Sequence, residues 1–188
     1  MIDLHSHILP GVDDGSPDIS TTEKMLAEMK RQGVQTVVAT PHFYPSKDQP
    51  DAFLTRRNHA MQALEGLMPD GPRVIAGAEV AYFNGISRSM IPEQLRIENT
   101  KLLLVEMPFT PWTERIVMDI CDFQAQTGIT PVLAHVNRYL QKGQLLSYQE
   151  ALLGSGVLFQ CNAEAFLTRR SRKWALRELP MGNIHFLG

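Results

Sequence analysis

The residues best placed to do chemistry open the chain. His5-Ser6-His7 directly follows the short apolar run Met1-Ile2-Asp3-Leu4. Side chains on an extended segment alternate with period 2, so imidazoles at i and i+2 point to one side. Two nitrogen donors on one face at a strand end form half of a metal site. Asp13 and Asp14, spaced by Gly11 and Gly15, can bring carboxylate oxygen to the same place.

Further along, the ends of the expected strands carry the same chemistry. Thr40-Pro41-His42 supplies His42, Gly77-Ala78-Glu79 supplies Glu79, Val105-Glu106-Met107 supplies Glu106 and Leu133-Ala134-His135 supplies His135. Each carboxylate ends an otherwise apolar run, where an unpaired charge would be costly. One such histidine would read as a hydrogen-bonded structural residue, and one such glutamate as half of an ion pair. Five successive strands with the same habit point instead to a shared site. Histidine and carboxylate together suit Mn, Fe or Zn, and the lack of thiolates disfavours a structural zinc site. With six or more ligands, some able to bridge, two or three metal ions are expected rather than one. Arg138 follows His135 by three residues. A cation beside metal ions needs an anionic partner, which is either a bound substrate phosphate or a loop carboxylate.

Positioning these residues requires many strands with their ends on one rim. Expected strands are Ile2–His5, Gln35–Thr40, Arg73–Val80, Leu102–Met107, Thr130–Ala134, Val157–Cys161 and Ile184–Leu187. Between them, helices are expected from a capping box at Ser20 to about Gln32, from Asp51 to about Leu67, over Trp112–Gln126, from a capping box at Ser147 to Gly154 or Gly156, and over most of Ala163–Leu179. A short helical turn is expected near Glu93–Arg96. Strands alternating with helices imply parallel pairing through right-handed crossovers, hence a doubly wound sheet or a closed barrel. No Gly-rich nucleotide loop follows any strand, which weakens the nucleotide-binding doubly wound folds.

A length of 188 residues favours one domain, and 44% hydrophobic residues can fill a normal core. The net charge of -2 gives no basic surface for nucleic acid. No basic-then-apolar leader opens the chain, and no apolar run approaches the roughly 18 residues of a membrane span, so a cytoplasmic protein is expected. Cys121 and Cys161 lack any paired motif and read as free thiols.

The run from Met1 through His5-Ser6-His7-Ile8-Leu9-Pro10-Gly11-Val12-Asp13-Asp14-Gly15 resembles the opening of the bacterial polysaccharide-associated tyrosine phosphatases of the polymerase and histidinol phosphatase (PHP) superfamily. Thr40-Pro41-His42, Glu79, Glu106-Met107-Pro108-Phe109 and His135-Val136-Asn137-Arg138-Tyr139 recur in that family's order. The resemblance spans essentially the whole chain. It implies an α/β fold, a distorted seven-stranded (β/α) TIM-like barrel of the PHP type forming one domain over residues 1–188. It also implies a manganese cluster of two or three ions, with Fe or Zn as alternatives. One ion would use His5, His7 and Glu79; Glu79 would bridge to a second held by Glu106 and His135; a third would use Asp14 and His42. Arg138 matches the family's phosphate-contacting arginine.

The implied activity is hydrolysis of protein phosphotyrosine by a metal-activated hydroxide. The implied partner is the phosphotyrosine-bearing tail of a bacterial tyrosine kinase of capsule or exopolysaccharide synthesis, without nucleic acid or membrane insertion. Histidinol phosphate or another small phosphomonoester is the alternative substrate, and an inactive binding or scaffold form is the alternative role. Two departures stand out. Val136 and Asn137 replace a usual proline and glutamate, which predicts retuned loop geometry. The family's last strand runs into an Asp-x-His pair, whereas this sequence ends at Gly188, so a chain lacking its C-terminal end is expected. Asp3, in the first strand, and Asp13, in the loop, are not obvious substitutes for that pair.

Overall fold

The computed structural model describes the backbone of residues 1–188 and all side chains except those of Gln141, Lys142 and Arg170. Its strands pair in parallel throughout, as the alternation with helices requires. Strands β1 (Ile2–Ser6), β2 (Thr36–Ala39) and β4 (Arg73–Ala76) form a three-stranded sheet in the order β1-β2-β4. Strands β3 (His42–Phe43), β5 (Glu79–Ala81), β6 (Leu102–Glu106), β7 (Thr130–Leu133), β8 (Leu158–Cys161) and β9 (Phe186–Leu187) form a six-stranded sheet in the order β3-β5-β6-β7-β8-β9.

One of the seven expected strand runs, Arg73–Val80, is therefore broken in two, and a short further strand, β3, follows the expected run Gln35–Thr40. Pro41 cannot donate to a ladder, and it separates β2 from β3. Gly77 separates β4 from β5, and it does so where backbones crowd: a Cβ there would lie 3.0 Å from Val38 Cγ1. At both breaks the chain steps from one sheet to the other. β1 packs beside β9, but no ladder joins them among the described residues. The described strands thus form a mixed α/β fold of two parallel sheets, and no ladder among the described residues joins the two sheets.

The helices form close to their expected places, with different ends. α1 (Ile19–Arg31) is capped by Asp18, whose side chain accepts from the Thr21 N–H at 2.7 Å, and not by Ser20. α2 (Pro50–Ala63) starts on a proline, whose missing N–H costs nothing in the first turn. The short α3 (Ile91–Leu95) fills the turn expected near Glu93. The single helix expected over Trp112–Gln126 is two, α4 (Glu114–Cys121) and α5 (Phe123–Thr127), closed by Gly128 in the left-handed region. α6 (Gln144–Gly154) begins ahead of the Ser147 box, and α7 (Arg169–Glu178) follows a 3-10 turn, Ala163–Phe166.

The main core joins the six-stranded sheet to these helices through buried Phe43, Phe53, Ile120, Phe123, Phe159 and Trp174. Burying side chains of this size contributes roughly 1.5–3 kcal/mol each, and here it fixes the rim on which the polar residues stand. Both cysteines are free thiols. No helix among the described residues is long and apolar enough to cross a membrane.

Candidate metal centre

Strand register brings the polar residues together. His42 of β3 lies directly opposite Glu79 of β5, and Glu106 of β6 lies opposite Ala81. His135 follows β7 in a left-handed backbone conformation at φ 34°, a strained state for a residue with a Cβ. Gln160 of β8 holds that turn by accepting the His135 N–H at 2.6 Å.

Glu79 is the hub. Its side chain is 1% exposed, and its Oε2 lies 3.1 Å from His5 Nε2, 3.2 Å from His7 Nε2 and 3.1 Å from His42 Nδ1. Its Oε1 lies 2.9 Å from His135 Nε2, which is also 3.4 Å from Glu106 Oε1. Asp14, on the exposed side, reaches His42 Nε2 at 3.6 Å. All seven expected ligands thus meet in one place. Three triads have donor atoms within 4.8 Å of one another: His5-His7-Glu79, His7-Asp14-His42 and His42-Glu79-Glu106. The first triad is the expected one. The second adds His7 to the expected Asp14-His42 pair, and the third sets His42, rather than His135, with Glu79 and Glu106.

The donor chemistry fits divalent cations. Four imidazoles and three carboxylates, with no thiolate, suit Mn, Fe or Zn. His5 Nε2 and His7 Nε2 face each other at 3.2 Å, so at most one proton can lie between them. His42 Nδ1 is buried and makes no hydrogen bond, although Glu79 Oε2 is 3.1 Å away. Such nitrogens direct lone pairs at a common point, as ligands do. Electrostatics agree. Burial alone would lower the His7 pKa, but its bonds to Asp13 and Glu79 override this and raise it to about 10. Burial would raise Glu79, yet hydrogen bonds from His135, His5 and His7 hold it far below the usual carboxylate range. The site strongly favours positive charge.

Arg138 lines the cavity above the cluster together with Asn162 and six of the expected ligands. It is exposed, and no carboxylate lies within 4.0 Å of it among the described residues, so the loop-carboxylate partner is not realised. Its charge is felt at His135, where it opposes protonation. Val136 is buried in the core, while the buried Asn137 accepts the Asn162 N–H at 3.0 Å and ties this segment to the end of β8.

Several contributors escaped the sequence reading. Asp13 is no substitute ligand; its Oδ2 accepts from His7 Nδ1 at 2.6 Å and from the His42 N–H at 2.9 Å. Gln160 Oε1 accepts from His5 Nδ1 at 3.2 Å. A lone polar residue within the apolar run Val157–Cys161 was the available signal for Gln160. Rings flank the site: Tyr44 stacks on His42 at 5.1 Å, and Phe109 stacks on His135 at 6.0 Å.

Comparison with known proteins places this geometry. Residues 1–186 match the family model described as "Capsular polysaccharide synthesis, CpsB/CapC". The chain is 29% identical over 194 residues to tyrosine-protein phosphatase YwqE of Bacillus subtilis, covering 100% of this chain and 75% of the relative. It is 26% identical over 203 residues to tyrosine-protein phosphatase CpsB of Streptococcus agalactiae, covering 100% of this chain and 81% of the relative. It also superposes, with a TM-score of 0.81 and 27% identity, on a solved structure from work on YwqE of B. subtilis and CpsB of Streptococcus pneumoniae, described there as metal-dependent tyrosine phosphatases; the match covers 100% of this chain and 78% of that one. With nearly its full length matched, the chain belongs to the CpsB/CapC family of capsular polysaccharide synthesis.

Proposed function

We propose that the chain is a metal-dependent protein-tyrosine phosphatase, a phosphoric monoester hydrolase. Its substrate is the phosphotyrosine-bearing tail of a bacterial tyrosine kinase of capsule or exopolysaccharide synthesis, met in the cytoplasm. The observation that carries this reading is the gathering of His5, His7, Asp14, His42, Glu79, Glu106 and His135 beside Arg138, a cation with no carboxylate within 4.0 Å among the described residues. The tyrosine-phosphatase names of YwqE and CpsB support the substrate class. The parallel sheets are read as a distorted seven-stranded PHP-type barrel, one domain over residues 1–188, with the seven ligands holding two or three manganese ions.

Bound divalent ions would supply Lewis-acid activation of water and of the phosphoryl oxygens. The chain supplies the rest. Glu79 touches four imidazoles at once and fixes their spacing. Asp13 and Gln160 hold the far nitrogens of His7 and His5, so that each Nε2 faces inward. Arg138 offers its fork of N–H donors to the transferring phosphoryl group, whose transition state needs positioning and charge more than covalent help. A cysteinyl-phosphate route is disfavoured: burial, then Glu164, pushes the Cys161 thiol up to about 12, so almost no thiolate exists near neutral pH.

The test is hydrolysis of a phosphotyrosyl peptide by the manganese-loaded protein. Chelation should abolish turnover, and Arg138→Ala should cut kcat by roughly 10²–10³-fold while metal content stays unchanged. Turnover that survives chelation, or a clear preference for histidinol phosphate over the peptide, would overturn the reading.

A further inference from the structure

α7 carries an unusual charge arrangement. Its sequence, Arg169-Arg170-Ser171-Arg172-Lys173-Trp174-Ala175-Leu176-Arg177-Glu178, packs five of the chain's eighteen basic residues into ten positions. Its first turn holds no acidic residue. Cations at a helix N-terminus oppose the macrodipole and cost stability, so capping does not explain them. Nor do ion pairs: Arg169, Arg172 and Lys173 are exposed, and none has a carboxylate within 4.0 Å among the described residues. Among the described residues, the ion pair on this helix is Arg177 with Glu178, at the opposite end. Ser171, Trp174, Ala175 and Glu178 face inward, and Arg169, Arg172 and Lys173 lie on the outer face. Leu167, 84% exposed, stands just ahead of it.

This face adjoins the metal cavity. Asn162, at the end of β8, lines the cavity, and α7 begins seven residues later. Those residues fold back through the 3-10 turn, which Ser171 Oγ clasps by donating to the Ala165 carbonyl at 2.8 Å. α7 also packs against the 3-10 segment Val136–Lys142, which carries Arg138. Seven residues span at most about 25 Å, so an extended peptide with its phosphotyrosine in the cavity reaches Arg169 within about seven residues.

We propose that the outer face of α7's N-terminal half is a docking surface for an acidic peptide segment flanking the scissile phosphotyrosine. The inference rests on the phosphatase reading above and names what that site recognises beyond the phosphate. The charge is complementary, Arg169, Arg172 and Lys173 have no carboxylate within 4.0 Å among the described residues, and α7 packs against the segment that bears Arg138. The chain as a whole is slightly acidic, so the attraction is local rather than a general affinity for polyanions.

Three substrates separate the possibilities on the manganese-loaded protein: p-nitrophenyl phosphate, a phosphotyrosyl peptide with acidic flanks, and the same peptide with neutral flanks. The wild type should favour the acidic peptide, and that preference should fade as salt rises from low to physiological strength. The combined variant R169Q/R172Q/K173Q should lose roughly tenfold in kcat/KM on the acidic peptide, mostly through KM, while rates on p-nitrophenyl phosphate and the neutral peptide hold. The wild-type salt series reads the same effect without any variant. Equal rates on both peptides at every salt concentration would overturn the proposal. So would a variant unchanged on the acidic peptide, or cations that serve only to bind phosphatidylserine vesicles. A wild type inactive on all three substrates would instead bring down the phosphatase reading.

Discussion

Asp13 Oδ2 lies 2.6 Å from His7 Nδ1 and accepts its N–H, so Nε2 is the His7 nitrogen turned toward Glu79 and His5, free to bind a metal once its own proton is displaced. A carboxylate in this place sets both tautomer and ring orientation, and it raises the basicity of the facing nitrogen. Asp13→Asn keeps an acceptor oxygen but removes the charge. It should weaken metal binding by about 10–100-fold while leaving the fold intact. Titrating manganese into metal-stripped protein checks this, with far-UV circular dichroism as the control for folding. Unchanged affinity would mean that Asp13 serves only the loop.

The proposed ligands, Asp14 apart, were legible because they stand at or just past the end of an apolar run, where burial of an unpartnered charge is improbable. Their supporting residues were not. Asp13 acts through a loop that folds back to accept from the His42 N–H, and sequence spacing does not reveal such a closure. Gln160 serves His5, 155 residues away, and the His135 backbone, so its role exists only once β7 and β8 pair. The strand alternation was legible too, but the breaks at Pro41 and Gly77 were read as the close of one strand and the interior of another. Neither signalled that the chain there changes sheets, because that depends on where the partner strands lie.

The same histidine makes metal binding depend on pH. In the metal-free protein, bonds to Asp13 and Glu79 raise the His7 pKa from its ordinary 6.5 to about 10. Those bonds stabilise the metal-free fold fully below about pH 6.5, and the stabilisation fades as pH climbs to about 10. A metal ion competes with the proton for the same nitrogen, so manganese affinity should rise with pH across that window and each binding event should release protons. Calorimetry in two buffers of different ionisation heat measures the release directly. An affinity flat between pH 6.5 and 9 would contradict the assignment of His7 as a ligand.

Gly15 supports His7 by having no side chain. A Cβ there would lie 2.2 Å from the His7 carbonyl oxygen and 2.3 Å from the His7 Cβ. The loop is already clasped at this point, since the Ser16 N–H donates to that same carbonyl at 2.9 Å. Gly15→Ala must therefore push the His7 backbone or open the loop. The expected result is a destabilisation of about 2–4 kcal/mol, the range of severe steric substitutions, with weaker metal binding. Chemical denaturation of the metal-free variant separates the two effects. A variant of wild-type stability would show that the loop yields freely.

Asp119 tests the scaffold apart from the ligands. It projects from α4 and gathers the turn after β5, accepting from the Gly85 N–H at 2.8 Å, from the Tyr82 hydroxyl at 3.1 Å and from the Ser87 hydroxyl. Burial would raise its pKa, but the bonds from Ser87, Gly85 and Tyr82 outweigh burial and lower it. A carboxylate with a depressed folded pKa contributes stability above its unfolded value near 3.8, and this is lost as pH falls through the folded value. Asp119→Ala should cost about 1–2 kcal/mol at neutral pH, a modest figure because the carboxylate is partly in water. The gap between wild type and variant should then begin to narrow as pH falls below about 3.8 and close as pH passes the depressed folded value, where the wild type also loses its charge. Urea unfolding at pH 7 and at pH 3 measures it, and a gap that persists undiminished in acid would show that Asp119 acts by packing rather than by its charge.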